Sequence, residues 1–161
     1  MLLVACGLLL AAPTGRVELN TEGMDPREIE EQTQKAVVRD YGAAWASLAS
    51  ALDQNRPGAL GDMWAGFARE QALEAIAGQK RSGLRVRFRD DSHHLQGLFY
   101  SPEGSALQLR DSAHYERHVL DGVDVLTSET LHVQYLVVMT PAADHWQVRI
   151  LQAVTEPAET H

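Results

Sequence analysis

The sequence predicts an α+β fold in which two N-terminal helices pack on the concave face of a curved antiparallel meander of four to five strands. Three observations support this prediction. Apolar residues recur at steps of three and four up to about residue 83, and at steps of two from residue 84 onwards. Short turn sequences separate the period-two segments, so consecutive strands should pair as hairpins. Long twisted strands curl, and the helices are expected in the hollow of that curl.

The first helix is predicted to begin at Asp25-Pro26, with Asp25 as the N-cap and Pro26 at the first helical position. Apolar and aromatic side chains then form one helical face, and the segment 55–58 ends the helix. The members of this face are Ile29, Thr33, Val37, Tyr41, Ala44, Trp45, Leu48 and Leu52.

A second one-sided helix is predicted after residue 58, and Gly83 closes it behind the basic last turn of Lys80 and Arg81. Its apolar face consists of Leu60, Met63, Trp64, Phe67, Ala68, Ala72 and Ile76. Each helix has one apolar face, so each should bury one side and expose the other.

Strands are predicted from residue 84 to the C-terminal region. They cover 84–88, 95–100, about 106–120, about 128–140 and 145–154. Ser101 to Gly104 has the composition of a tight turn, Asp121-Gly122 is a hairpin signal, and Pro141 to Asp144 turns the chain again. His93-His94 is assigned to a turn between the first two strands.

The chain divides into an apolar leader over 1–15, a polar linker over 16–24, one domain over 25–155 and a tail over 156–161. The apolar run Met1 to Ala12 is about 18 Å long as a helix, too short to span a bilayer of about 30 Å. It suits the apolar region of a secretory signal, although no basic residue precedes it. Cys6 follows Leu3-Val4-Ala5, which resembles a lipoprotein cleavage box. We predict an exported or membrane-tethered protein, with a cytoplasmic protein as the alternative.

Composition limits the classes of function. The formal charge of −8 argues against nucleic acid as a partner, because clustered cations supply most of that affinity. Cys6 is the only cysteine, so the predicted domain has no disulfide and no thiolate metal site. No phosphate loop, nucleophile elbow or zinc-protease motif is present. We expect no metal and no cofactor.

The pattern resembles the nuclear transport factor 2-like superfamily of cone-shaped α+β domains. The resemblance covers about residues 26–155 and rests on the aromatic pairs of the two helices and on the alternating aliphatic ending. These motifs are Tyr41-x3-Trp45, Trp64-x2-Phe67, Val133-x-Tyr135-x-Val137 and Trp146-x-Val148-x-Ile150. Two helices followed directly by the meander are most similar to the branch with mitochondrial-import and plastid-division accessory domains. The resemblance implies a pocket inside the cone, frequent dimers, and a mixture of enzymes and non-catalytic binders.

Asp111 is the first candidate for chemistry. It shares a strand face with Leu109, Ala113 and Tyr115, which should be the interior face. Burial of an unpaired carboxylate favours its protonated form, and relatives of the ketosteroid isomerase type use this to obtain a general base or an acid donor. Tyr115 and Tyr135 could bring hydroxyl groups to it. The alternative is a structural role, either at a β-bulge or in an ion pair near the rim.

Aromatic residues could line a pocket for an apolar ligand, although at these spacings they are more often plain core. The candidates are Tyr41, Trp45, Trp64, Phe67, Phe88 and Trp146.

The histidines do not form a metal site by spacing. His114 and His118 lie roughly 13 Å apart on a strand, so they cannot share one ion. His132, on the next strand, could approach one of them.

Three arginines, Arg85, Arg87 and Arg89, place positive charge on one face of an expected edge strand. They could bind an acidic partner or a second copy, or they could protect the edge against aggregation.

The leading interpretation is a non-catalytic domain that binds a protein partner or a small apolar molecule. One alternative is a small proton-transfer, dehydratase or cyclase enzyme that uses Asp111 with Tyr115 or Tyr135. Another is a homodimeric assembly domain.

Overall fold

The computed structural model describes residues 15–154 and confirms the α+β prediction. The described elements are β1 (Arg16–Asn20), β2 (Asp25–Pro26), α1 (Glu31–Asp53), a 3-10 turn (Pro57–Leu60), α2 (Gly66–Ser82), β3 (Leu84–Tyr100), β4 (Leu107–Asp121), β5 (Asp124–Pro141) and β6 (Trp146–Ala153). Cys6, the candidate for lipidation, lies outside the described residues, as do the rest of the leader up to residue 14 and the predicted tail.

One mixed sheet contains all of these strands, in the order β1-β3-β4-β5-β6, with β2 also paired to β3. From β3 to β6 the strands form the predicted antiparallel meander. By contrast, β1 and β2 run parallel to β3, so the sheet is not purely antiparallel. The two helices pack on its concave face, as predicted.

The segment predicted to be a linker is the strand β1 instead. Arg16–Asn20 pairs with Ser92–Gln96, and the alternate residues Val17 and Leu19 pack against the core. Only two apolar residues mark this short strand, so its polar composition concealed the alternation. The pairing with β3 supplies the backbone hydrogen bonds that the sequence pattern did not indicate.

The predicted start of the first helix was wrong by several residues. Asp25 and Pro26 pair with Phe99 and Tyr100 as β2, and the helix begins at Glu31. The N-cap is the residue directly before the first helical one, and here that residue is Glu30 instead of Asp25.

A single strand, β3, replaces the two strands predicted over 84–100. Its register with β4 shifts between Asp90 and Ser92, which is a β-bulge. The extra residue exchanges the two faces of the strand, so the odd positions from His93 to Gly97 point inward. A second register shift between Gly97 and Phe99 reverses the faces again, with Phe99 exposed and Tyr100 buried. The prediction of a turn at His93-His94 was therefore wrong.

The first helix buries its predicted face against the sheet, whereas the second helix begins later than predicted. Because α2 starts at Gly66, the predicted members Leu60, Met63 and Trp64 lie before it. On α1, the buried members of the apolar stripe include Val37, Tyr41 and Trp45. The indole Nε1 of Trp64 donates a hydrogen bond of 2.9 Å to the carbonyl of Ala44, and this contact ties the segment before α2 to α1. Neither helix among residues 15–154 combines the length and the apolar character needed to cross a membrane.

Candidate functional site

A buried cluster of polar side chains lies between α1 and the sheet. The Tyr41 hydroxyl donates a hydrogen bond of 2.7 Å to Asp111 Oδ2. His93 Nδ1 lies 2.7 Å from the same oxygen, and His93 Nε2 lies 2.8 Å from Asp90 Oδ1. Tyr41, His93 and Asp111 are 0% exposed. The order of charges across the interior is therefore carboxylate, imidazole, carboxylate, with a phenol at one end.

Local structure explains this convergence. Tyr41 and Trp45 are four residues apart, so they share one face of α1. In the β3–β4 ladder Leu95 lies opposite Asp111, and His93 lies two residues before Leu95. His93 and Asp111 are therefore diagonal neighbours on the inner face, close enough for their side chains to meet.

The charge of His93 depends on its two carboxylate neighbours. Burial alone lowers the pKa of His93, but the interactions with Asp111 and Asp90 more than offset this and raise the pKa to about 9. At neutral pH the ring is an imidazolium, and its Nδ1–H donates to Asp111. Burial, and then the charge of Asp111, raise the pKa of Tyr41 well above its usual value, so its hydroxyl stays protonated.

Some buried polar atoms of this cluster have no hydrogen-bond partner among residues 15–154. Asp111 Oδ1 and Trp45 Nε1 are buried without a hydrogen-bond partner there. The contact between His93 Nε2 and Asp90 Oδ1 is short enough for an ion pair, but its angle does not fit a hydrogen bond. The cluster is thus held by charge as much as by directed hydrogen bonds.

The predicted partners of Asp111 bond to each other instead. Tyr115 and Tyr135 join through their hydroxyl oxygens at 2.8 Å. Burial, and then the hydrogen bond with Tyr115, raise the pKa of Tyr135, so the Tyr135 phenol is neutral at physiological pH. The phenol that reaches Asp111 belongs to Tyr41, which the sequence analysis placed in the pocket lining.

The interior is filled by the protein's own aromatic rings. Trp45 lies at the centre, with its ring centroid 4.6 Å from that of His93, 5.7 Å from Tyr135 and 5.8 Å from Tyr115. Phe88 is half-buried beside Trp45. Since Tyr41, His93 and Asp111 are each 0% exposed, none of the three reaches the surface of residues 15–154. The cone is closed around the cluster.

The other aromatic candidates have different surroundings. Trp64 and Trp146 are buried in the core. Phe67 is 56% exposed, so the prediction that it lines a pocket was wrong. The buried face of α2 follows Ala68, Ala72 and Ile76. Phe67 precedes Ala68 by one residue, which turns its side chain about 100° away from that face.

The outer face of the sheet carries a polar hollow of about 660 Å³. His114 and His132 face each other across β4 and β5 and stack with their ring centroids 3.8 Å apart. His114 Nδ1 also lies 3.0 Å from Asp91 Oδ2, while His94 lines the same hollow. In the part of the chain that the structure describes, no group of three or more histidine, cysteine or carboxylate residues is arranged to hold a metal ion.

Acidic side chains of the same chain accompany the three candidate arginines. Arg85 and Arg87 both reach Asp53 at the end of α1, at 3.1 and 3.2 Å. Arg89 lies 3.3 Å from Glu116 on the neighbouring strand. These arginines lie in the half of β3 that pairs with β4 alone among residues 15–154, which is a sheet edge.

Sequence reasoning missed His93, which it placed in a turn. The available signal was a change in the numbering of the apolar residues. Those of the strand predicted over 84–88 have even numbers, whereas Leu95 has an odd number. A bulge between residue 88 and Leu95 would let even-numbered residues face inward before it and odd-numbered residues face inward after it. His93 would then lie on the inner face with Leu95. The sequence does not show where a bulge lies, so that reading was one of several.

Comparisons with known proteins bear on the fold. No protein-family model and no curated protein matches the sequence. The structure is similar to the intermembrane-space region of the chloroplast protein ARC6, with a TM-score of 0.66 and 11% identity over 81% of this chain and all of that one. A periplasmic fragment of TraM matches with a TM-score of 0.52 and 12% identity, over 73% of this chain and 97% of that one.

A putative dehydratase of the nuclear transport factor 2-like family from Streptomyces avermitilis also matches. Its TM-score is 0.50 and its identity 13%, over 77% of this chain and 99% of that one. The chain therefore has the nuclear transport factor 2-like fold. At these identities the likeness concerns the fold alone, and function has to be argued from the sites.

Proposed function

We propose that this chain is a non-catalytic protein-binding domain of a bacterial cell envelope, exported or membrane-tethered. The observation that carries the proposal is the closed interior, in which Asp111 and His93 are 0% exposed. A general acid or base must come within hydrogen-bonding reach of its substrate. In this protein Tyr41 and His93 both contact Oδ2 of Asp111, and Oδ1 is buried away from the surface.

The aromatic interior supports a protein partner over a small apolar ligand. A ligand inside the cone would have to displace Trp45, whose ring contacts His93, Tyr115 and Tyr135. Removal of a buried tryptophan from a core costs about 3–5 kcal/mol, more than a small apolar molecule readily offsets. Recognition is therefore expected on the outer surface.

The proposed location rests on two structural neighbours and on the apolar leader. Their printed descriptions place one in an intermembrane space and the other in a periplasm. A fusion of residues 1–24 to a reporter enzyme that is active only after export tests this part in a bacterial host. Reporter activity is expected, and a reporter retained inside the cell would contradict it.

A second candidate is a proton-transfer enzyme, and the Asp111–His93 pair favours it. A buried acid beside an imidazolium is suited to exchange a proton with a bound substrate. For this, α1 would have to move away from β3 and β4 to admit the substrate.

Native mass spectrometry of the gently purified full chain separates these two candidates. A bare polypeptide mass is expected, either alone or as an assembly of polypeptides. A small molecule that is retained in stoichiometric amount, and is released only by unfolding, would overturn the proposal in favour of the enzyme or of a small-ligand binder.

Cross-linking in the native cells tests the protein-binding role directly. Tagged wild-type protein and an Asp111→Asn variant should recover the same partner proteins, provided that circular dichroism shows both to be folded. Loss of the partners in the folded variant would show that Asp111 takes part in recognition, against the proposal. Phe67→Asn, at an exposed position on α2, is the matched control.

A further inference from the structure

The edges of the sheet differ in how well they are protected against an added strand. On β6, the backbone of the segment before α2 occupies the edge: Val148 N–H donates to the carbonyl of Met63, and Ala65 N–H donates to the carbonyl of Val148, both at 2.9 Å. The exposed half of β3 carries Arg85, Arg87 and Arg89. Charged side chains and covering segments are the usual protections of edge strands.

One stretch of β5 has no covering segment among residues 15–154 and no basic side chain. β6 reaches only from Tyr135 to Pro141 along β5, so β4 is the only described strand that pairs with 124–133, here called the β5 edge segment. Residues 124–130 are all exposed. The segment contains no Lys, Arg or Pro. In an antiparallel ladder, alternate N–H and C=O groups of such a strand point away from its single partner.

A bulge at Leu126 interrupts the ladder near the hairpin, because Val119 pairs with Thr127 while Leu120 pairs with Val125. From Thr127 onward the register with β4 is regular, and it gives an uninterrupted run of about 20 Å up to Val133. At the hairpin end lie exposed apolar side chains. Val125 and Leu126 are each 55% exposed. The segment thus combines unpaired backbone groups with an apolar surface.

The acidic residues near the β5 edge segment determine which kind of strand could pair with it. Asp121 and Asp124 lie opposite each other at the hairpin, and neither makes an ion pair within residues 15–154. Glu129 pairs with Arg117 across the strands at 2.5 Å. A second copy would bring the same acidic residues, with no Lys or Arg in its own segment 124–133 to neutralise them. A basic strand from another protein meets no such repulsion.

We propose that the β5 edge segment binds an extended, basic segment of a partner protein by strand addition, with apolar side chains of that segment against Val125 and Leu126. Main-chain hydrogen bonds supply the affinity in this mode of recognition, and alternate side chains supply the specificity. The inference rests on the proposed function, in that it names the surface and the chemistry of the expected partner.

The test uses a synthetic peptide about ten residues long that alternates Lys with Val or Thr, added to the full chain. Backbone amide hydrogen exchange is measured with and without the peptide. Alternate amides within 124–133 should exchange at least about tenfold more slowly when the peptide is bound. An equivalent peptide with Glu in place of Lys should give no protection.

Two matched lysine variants locate the contact. Thr130→Lys places a charge in the middle of the edge and should weaken peptide binding by at least about tenfold. Phe67→Lys makes the same change of charge at an exposed site on α2 and should leave binding within about twofold. Equal weakening by both variants would mean that net charge alone governs binding, which overturns the proposal.

Two other results would also overturn it. One is protection by the peptide at amides outside 124–133. The other is that the alternate amides are already protected without any peptide and lose this protection when residues 155–161 are deleted. The occupant of the edge would then be the chain's own tail. Neither result affects the cross-linking and mass measurements, so failure of the edge proposal is distinguishable from failure of the protein-binding role.

Discussion

The interior of the cone and the β5 edge segment are opposite in character. Inside, Asp111 and His93 are fully buried, in direct contact with each other and surrounded by aromatic rings. Along the edge, Val125 and Leu126 are exposed, and half of the backbone groups have no strand partner among the described residues. The polar side chains of the interior are buried, whereas the apolar side chains of the edge are exposed to solvent. An arrangement suited to catalysis would reverse both features.

The contrast shows that the presence of acid and base residues in a fold does not by itself make a catalytic site. A carboxylate, an imidazole and a phenol converge in this interior, yet each contacts another member of the set. Such a network holds α1 to the sheet, because Tyr41 belongs to α1 while His93 and Asp111 belong to β3 and β4. Substitutions inside the cone test whether the interior is structural, and substitutions along the β5 edge segment test whether that edge is free to bind.

The largest effect is expected for Asp111→Ala. This change leaves the His93 imidazolium buried with one carboxylate in place of two, and it removes the acceptor for Tyr41. The free energy of unfolding should fall by about 3–5 kcal/mol in urea denaturation. Asp91→Ala is the control, because Asp91 is largely exposed and, among residues 15–154, bonds only His114 at the surface. Its effect should stay below about 1 kcal/mol. Similar small effects for both variants would contradict a structural interior.

A pH dependence of somewhat smaller size is expected from His93. Its pKa is about 9 in the folded protein and about 6.5 in the unfolded chain. The raised folded pKa means that its contribution is fully present below about pH 6.5 and is lost as the pH rises through about 9. Between these limits the free energy of unfolding should fall by about 3 kcal/mol.

Other groups also titrate in this range, so the measurement compares wild type with His93→Gln across the same pH values. The variant should lack the part of the slope that belongs to His93. Parallel curves for the two proteins would show that His93 is not held as an imidazolium.

A smaller effect is expected at the tyrosine pair. Tyr135→Phe removes one hydroxyl of the 2.8 Å contact and should lower the free energy of unfolding by about 1 kcal/mol. Tyr115→Phe should act similarly. Because the two hydroxyls share one hydrogen bond, the double variant should lose less than the sum of the single losses. Strict additivity in denaturant titrations would show that the hydroxyls do not interact in solution.

The smallest effect on stability is expected at the edge. Val125→Lys should change the free energy of unfolding by less than about 0.5 kcal/mol, because the side chain is 55% exposed. The same variant should weaken binding of the basic strand peptide. A large loss of stability would instead mean that Val125 packs against something in the full chain, and the edge would then not be free.

The site was predictable from the sequence only in part. Asp111 falls on the interior face of β4 because apolar neighbours mark that face on both sides. Its partners were not predictable in the same way. Tyr41 lies 70 positions earlier in the sequence, and His93 faces inward only because of the bulge in β3. A one-residue shift in a strand reverses which side chains point inside, and no local pattern reports it.

Local periodicity and turn composition were sufficient to predict the class of fold, the buried face of the first helix and the hairpin turns that join β3 to β6. They did not predict that 16–20 forms a parallel strand, that Phe67 points outward or that the interior is closed around His93 and Asp111. These features depend on contacts between segments that are distant in the sequence. The free energies of such contacts are set by packing and strand pairing, and they produce no periodic pattern of residues.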